Sequence, residues 1–165
     1  AGFIAAGQIA EAEGNTPAVT GGTLEDRPYS IGLGYNAGPL VLGFGYENPA
    51  DADDNWSSFY AGYNFGAFKL GGFWGSGRNG SDGKHEAYLL SATAPLGAGE
   101  FRVSYGQLKN KTLNVIADKQ LGLGYHYFLS KRTTVYTNFV NEKRDGIDAS
   151  GREKNGYDFG VKHNF

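Results

Sequence analysis

The sequence predicts an all-β protein, in architecture a transmembrane antiparallel up-and-down β-barrel. Three observations predict it. Apolar residues alternate with small or polar ones at period two through most of the chain. The connections alternate between tight turns and longer polar loops. No run approaches the roughly 18 apolar residues that a membrane helix requires. Composition agrees: the 165 residues include 27 Gly and 15% aromatics, yet the mean hydropathy is −0.42. Large rings and turn formers on a polar average are what strands with two different environments need.

The segments follow in order. In the first, from Gly2 to about Ala12, Phe3, Ala5 and Ile9 compete with Ile4 and Ala6, so its phase stays open. After the polar loop 14–27, Tyr29, Ile31, Leu33 and Tyr35 alternate with Ser30, Gly32, Gly34 and Asn36. A tight turn at Asn36-Ala37-Gly38-Pro39 leads to Leu40, Leu42, Phe44 and Tyr46. Loop 48–55 precedes Phe59, Ala61, Tyr63 and Phe65; the turn Phe65-Gly66-Ala67 leads to Phe68, Leu70 and Trp74. Loop 77–84 precedes Tyr88, Leu90, Ala92 and Ala94, and the turn 95–99 leads to Phe101, Val103 and Tyr105. Loop 110–117 precedes Leu121, Leu123, Tyr125 and Tyr127, with a turn at 129–132. In the ninth segment, Thr133 to Asn141, Val135 and Phe139 point outward against the competing Tyr136 and Val140. Loop 143–154 precedes the last run, Tyr157, Phe159, Val161, His163 and Phe165. This makes about ten strands of about ten residues, the length with which a tilted strand crosses the hydrocarbon core. No linker or composition shift divides residues 1–165, so one barrel segment is expected.

Period alone does not separate a membrane barrel from a soluble one with an apolar interior. The rows opposite the apolar residues decide: Ser30, Gly32, Gly34 and Asn36, or Arg102, Ser104 and Gly106, or Gln120, Gly122, Gly124 and His126, suit a wet lumen. Aromatic residues gather near strand ends, where amphipathic rings favour the headgroup boundary. The chain also ends on Phe165 with apolar or aromatic residues at alternate positions before it, except for His163.

Several classes fall away. There is no Cys, hence no disulfide scaffold and no thiolate metal site, and a net charge of −2 offers no footprint for nucleic acid. His85, His126 and His163 form no H-x-x-x-H ligand pair, and no activated Ser or acid–base dyad is evident, so neither a metal, a cofactor nor a catalytic residue is expected. Gly32-Leu33-Gly34 and Gly122-Leu123-Gly124 lack the following helix of a dinucleotide fingerprint. Asp51, Asp53, Asp54 and Asn55 crowd one loop without the glycine and distal Glu of a calcium loop, and read as solvated. Asp145, Asp148, Arg144, Arg152, Glu153 and Lys154 read as a second solvated or locally paired loop. The start at Ala1, without Met, is expected of a processed product or a fragment.

By this phasing Lys69, Arg102, Asp158 and Lys162 line the lumen, with Glu47 near a loop and His126 near a turn. Three bases face two acids, and a narrow lumen screens fixed charges incompletely over roughly 8–10 Å, so mild anion preference is expected.

The stretch Leu121-Gly-Leu-Gly-Tyr-His-Tyr-Phe-Leu-Ser-Lys-Arg-Thr-Thr-Val-Tyr136, with Tyr157-Asp-Phe-Gly-Val-Lys-His-Asn-Phe165, resembles the carboxyl end of Gram-negative outer-membrane general porins, β-proteobacterial branch. That resemblance implies a 16-stranded barrel, usually a homotrimer, that passes small hydrophilic solutes by diffusion. It also implies that Tyr157, Phe159, Val161 and Phe165 form the signal read by the barrel assembly machinery. Members run to about twice this length, so the chain resembles a carboxyl-terminal portion whose partners would be outer-membrane lipid and the remaining amino-terminal strands, unless its edges close as a smaller ten-stranded barrel. The alternative function is a small outer-membrane barrel with a structural or adhesive role carried by its loops and no open pore. A soluble ligand-binding barrel stands third.

Overall fold

The computed structural model of the protein describes residues 1–10, 27–49, 54–79, 83–144 and 153–165. Ten strands form one antiparallel sheet in chain order: β1 (Gly2–Ile9), β2 (Tyr29–Ala37), β3 (Leu40–Asn48), β4 (Asn55–Asn64), β5 (Lys69–Asn79), β6 (Gly83–Leu96), β7 (Gly99–Asn110), β8 (Val115–Phe128), β9 (Thr133–Lys143) and β10 (Glu153–His163). Each strand pairs with its neighbours in sequence, the connectivity of an up-and-down barrel wall. β1 and β10 do not pair, so each leaves one edge bare and the sheet does not close as a ten-stranded barrel.

Register settles the phases that the sequence left open. Phe3, Ala5 and Ile9 lie opposite Tyr35, Leu33 and Tyr29, which puts them on the apolar side. Val135 and Phe139 lie opposite Tyr127 and Leu123, outward as expected. At the turn between β2 and β3, Gly38 takes a φ of 56°, a conformation open to glycine, just before Pro39.

Two expected loops are corrected. Segment 77–84 is mostly strand and segment 110–117 half strand: β5 and β6 are separated only by 80–82, and β7 and β8 only by 111–114. The register continues through Arg78↔Lys84 and Lys109↔Ile116, with a bulge beside Leu108, so backbone pairing outweighed the loop-like polarity there. β6 and β8 reach 14 residues each and project past the hydrocarbon band.

The sheet has no buried hydrophobic core among the described residues. Leu33 (52%), Phe44 (43%) and Leu90 (61%) stand exposed on the apolar side, where only lipid would cover them. The ladder rows also cross that band obliquely. One outward row of direct partners runs Ala5, Leu33, Phe44, Phe59, Trp74, Tyr88, Gln107, Lys119, Lys143. It passes from aliphatics through amphipathic rings to lysine, the signature of strands tilted about 35–45° to the barrel axis.

Close approach of β4 and β5 depends on Gly77, where a Cβ would run into the Asn55 carbonyl oxygen and lie 2.7 Å from Cε3 of Trp56. Gly77→Ala is therefore expected to lower stability by about 1–3 kcal/mol. Gly32→Ala, at a position with nothing within 4 Å, should stay within about 0.5 kcal/mol of the parent. Thermal unfolding of the reconstituted barrel followed by its β-sheet dichroism checks this, and equal melting of the two variants refutes it.

Candidate pore-lining face

The side opposite the apolar one carries all six residues expected to line a lumen. Direct partners Asn64, Lys69, Thr93, Arg102, Gly124, Asn138 and Asp158 form one row across β4–β10, which brings Lys69, Arg102 and Asp158 to the same rung. Neighbouring strands are spaced by about 4.8 Å, so the Lys69 and Arg102 backbones stand roughly 10 Å apart. The next row toward the short turns holds Glu100, His126, Tyr136 and Gly160, and the one after it Phe128, Thr134 and Lys162. Five of the six thus gather toward the turn-side end. Glu47 is separate: it sits toward the longer loops, in a row with Gln8, Ser30 and Trp56.

Several charges on this face escaped sequence reasoning. Glu100 directly follows the turn at 95–99, and its place two residues from Arg102 puts both on one side. Lys154 falls inside the expected loop 143–154, and Asp118 and Glu142 lie one residue outside the expected loops; the longer strands take up all three. The expected three-to-two balance becomes two zones. Toward the turns Lys69, Arg102 and Lys162 face Glu100 and Asp158; toward the loops Glu47, Asp118 and Glu142 face Lys154.

Local contacts set how much of each charge reaches the water. Arg102 Nε donates to Glu100 Oε1 at 2.7 Å, with the two side chains 49% and 20% exposed. Such an accessible pair is worth about 0–1 kcal/mol, yet it mutes the guanidinium field. Lys69 and Lys162 make no ion pair among the described residues. Asn138 Nδ2 donates to Asp158 Oδ2 at 3.3 Å, and the His126 and Tyr136 rings stack 5.5 Å apart at 27°. A depression of about 490 Å³ lies on this face over Gly122 and Gly124, edged by Thr93, Arg102, Ser104, His126 and Asn138. At the loop end, beyond the apolar band on β8, Asp118 has a side-chain oxygen without a hydrogen-bond partner. Burial pushes its carboxyl above the ordinary range, Glu142 adds to the rise, and Arg144, which donates to Glu142, opposes it.

The face is less uniformly small and polar than its glycines and serines imply. Trp56, Tyr60, Phe73 and Leu89 also lie on it: the Trp56 ring is laid over Gly75 of the adjacent strand, and the Tyr60 ring over Gly62 of its own strand and Gly71 of the adjacent one. Tyr157, Phe159 and Val161 project from the opposite, apolar side of β10 at 81%, 74% and 61% exposure, and Phe165 follows the last strand residue. Among the described residues no three His, Asp or Glu side chains meet to hold a metal. Asp51, Asp53, Asp145, Asp148 and Arg152 lie outside the described residues.

Comparison with known proteins bears on what such a wall does. The family model described as Gram-negative porin matches residues 1–147. Outer membrane porin protein 32 of Delftia acidovorans is 31% identical, with 81% of this chain and 45% of that protein covered. An anion-selective porin from Comamonas acidovorans superposes with a TM-score of 0.70 at 28% identity, over 84% of this chain and 49% of that one. A mutant of the Rh. blastica porin, at 19% identity and a TM-score of 0.64, covers 85% of this chain and 45% of its own, and shares the fold. The chain spans just under half the length of each of these proteins.

Proposed function

Because the chain belongs to the Gram-negative porin family, we propose that it builds about half the wall of a passive diffusion channel, with amino-terminal strands completing the barrel along the bare edges of β1 and β10. It is an outer-membrane channel component and not an enzyme. The observation that carries the reading is the two-sidedness of one sheet: a bare apolar band on one side, titratable and hydroxyl side chains on the other. Solutes pass by size, and fixed charges filter them, with no cofactor involved. Lys69, Arg102, His126, Asp158, Lys162 and Glu47 are the lining residues, and the turn-side zone, with one more base than acid, favours anions mildly. That preference agrees with the anion selectivity of the Comamonas relative. Tyr157, Phe159, Val161 and Phe165 serve as the assembly signal, and the complete barrel forms a homotrimer in outer-membrane lipid.

Planar-bilayer recording of the full-length barrel that contains this chain tests the proposal. Stepwise conductance is expected, with a reversal potential in a salt gradient displaced modestly to the anion side. Silent barrels overturn the channel and favour a structural or adhesive role; clear cation preference overturns the selectivity alone.

A further inference from the structure

The outward face of the β5–β7 strands carries charge that permeation does not use. Arg78 of β5 and Lys84 of β6 are direct cross-strand partners on the apolar side of the sheet. Opposed like charges in such a pair destabilise it unless an anion lies between them. In the next row Glu86 faces Lys109, and Lys111 Nζ lies 3.0 Å from Glu86 Oε2. The other oxygen of Glu86 accepts from Trp74 Nε1 at 3.1 Å, so both oxygens of this carboxylate are engaged. Lys111 holds the Glu86 carboxyl below its ordinary range, the Trp74 contact adds to this, and the charge of Lys84 contributes without forming an ion pair. Among the described residues Arg78, Lys84 and Lys109 have no ion-pair partner.

The position of this cluster identifies its counter-ion. It begins one row beyond Trp74 and Tyr88, the rings at which the apolar band ends on these strands. It therefore stands at headgroup height, on the side of the longer connections, which in such barrels is the outer leaflet. We propose that Arg78, Lys84 and Lys109 bind the phosphate groups of a phosphorylated glycolipid in the outer leaflet. Arg78 supplies a planar fork for phosphate oxygens, the two ammonium groups act as point charges, and Trp74 packs beside the upper acyl segments. This inference rests on the reading of the apolar side as lipid-facing.

The test is native mass spectrometry of the full-length barrel in detergent, titrated with a bisphosphorylated glycolipid, its dephosphorylated counterpart, or phosphatidylglycerol. Half-saturation is expected at a concentration at least tenfold lower for the bisphosphorylated glycolipid than for either of the others. The triple variant Arg78→Gln/Lys84→Gln/Lys109→Gln should raise that concentration at least tenfold, and Lys131→Gln/Arg132→Gln, on a short turn, should leave it unchanged. Equal retention by the triple variant and its parent, or indifference to dephosphorylation, overturns the site; equal retention of phosphatidylglycerol overturns the glycolipid assignment. Conductance of the same preparations keeps the two readings apart. A conducting barrel that ignores the glycolipid refutes the site alone, whereas a silent barrel that retains it refutes the channel alone.

Discussion

Phe44→Lys is expected to deplete the folded, membrane-inserted barrel by about 30- to 900-fold relative to the unfolded chain. Phe44 is the fifth of nine residues in β3, 43% exposed on the apolar side, with Leu33 and Phe59 as its direct partners. A lysine at mid-bilayer on a barrel's lipid face costs about 2–4 kcal/mol, and from the middle of the strand its ammonium reaches neither interface without bending the stem. Thr93→Lys, on the opposite side of β6 between Lys69 and Arg102, adds the same charge to water, and repulsion by these two cationic partners should cost no more than about 1 kcal/mol. Heat-modified gel mobility after refolding into lipid vesicles measures the folded fraction of each. If the two lysines are tolerated alike, the assignment of sides is wrong, and the channel with it.

The triple variant Lys69→Glu/Arg102→Glu/Lys162→Glu is expected to convert the channel to cation preference, with a change of at least tenfold in the anion-to-cation permeability ratio near 0.1 M salt. The substitutions leave Glu100 and Asp158 in place and turn one net positive charge in the turn-side zone into five net negative ones. Opposed charges in a water-filled lumen act over about 10 Å at that ionic strength and about 3 Å at 1 M, so the effect should shrink sharply in concentrated salt. Glu100→Gln supplies the opposite sign: it frees Arg102 from its 2.7 Å partner, and should move the reversal potential further toward anions with less than about 1 kcal/mol lost in stability. Unchanged permeability ratios in both variants would remove these residues from the filter.

Much of this arrangement could be read from residue order, for a physical reason. A strand with lipid on one side and water on the other must alternate, so Leu33, Phe44, Tyr63 and Leu123 announce their side without help from distant contacts. Lys69, Arg102, Asp158 and Lys162 inherit their side from that parity. What stayed hidden depends on strand ends. Polar residues there serve equally as loop or as ladder, and pairing between β5 and β6 and between β7 and β8 decided for ladder, with Asp118, one residue past the expected loop, opposite Leu108 on the polar side. Glu100 directly follows the turn at 95–99, where the start of the strand is set only by its pairing with Pro95. Trp56 and Tyr60 were hidden because a ring on the wet side packs over glycines of the neighbouring strand, and only the register reveals which glycines those are.

The oblique passage of the ladder rows has a bearing on mispairing. Alternation alone tolerates a slip of two residues, since every side chain keeps its side. Here such a shift would displace the lysines at one end of a row and the aliphatics at the other by a full step relative to the bilayer, dragging ammonium groups into oil or greasy ones into water. The bilayer thus acts as a vernier against which all ten strands are read at once, and it rejects the offsets that parity would let through.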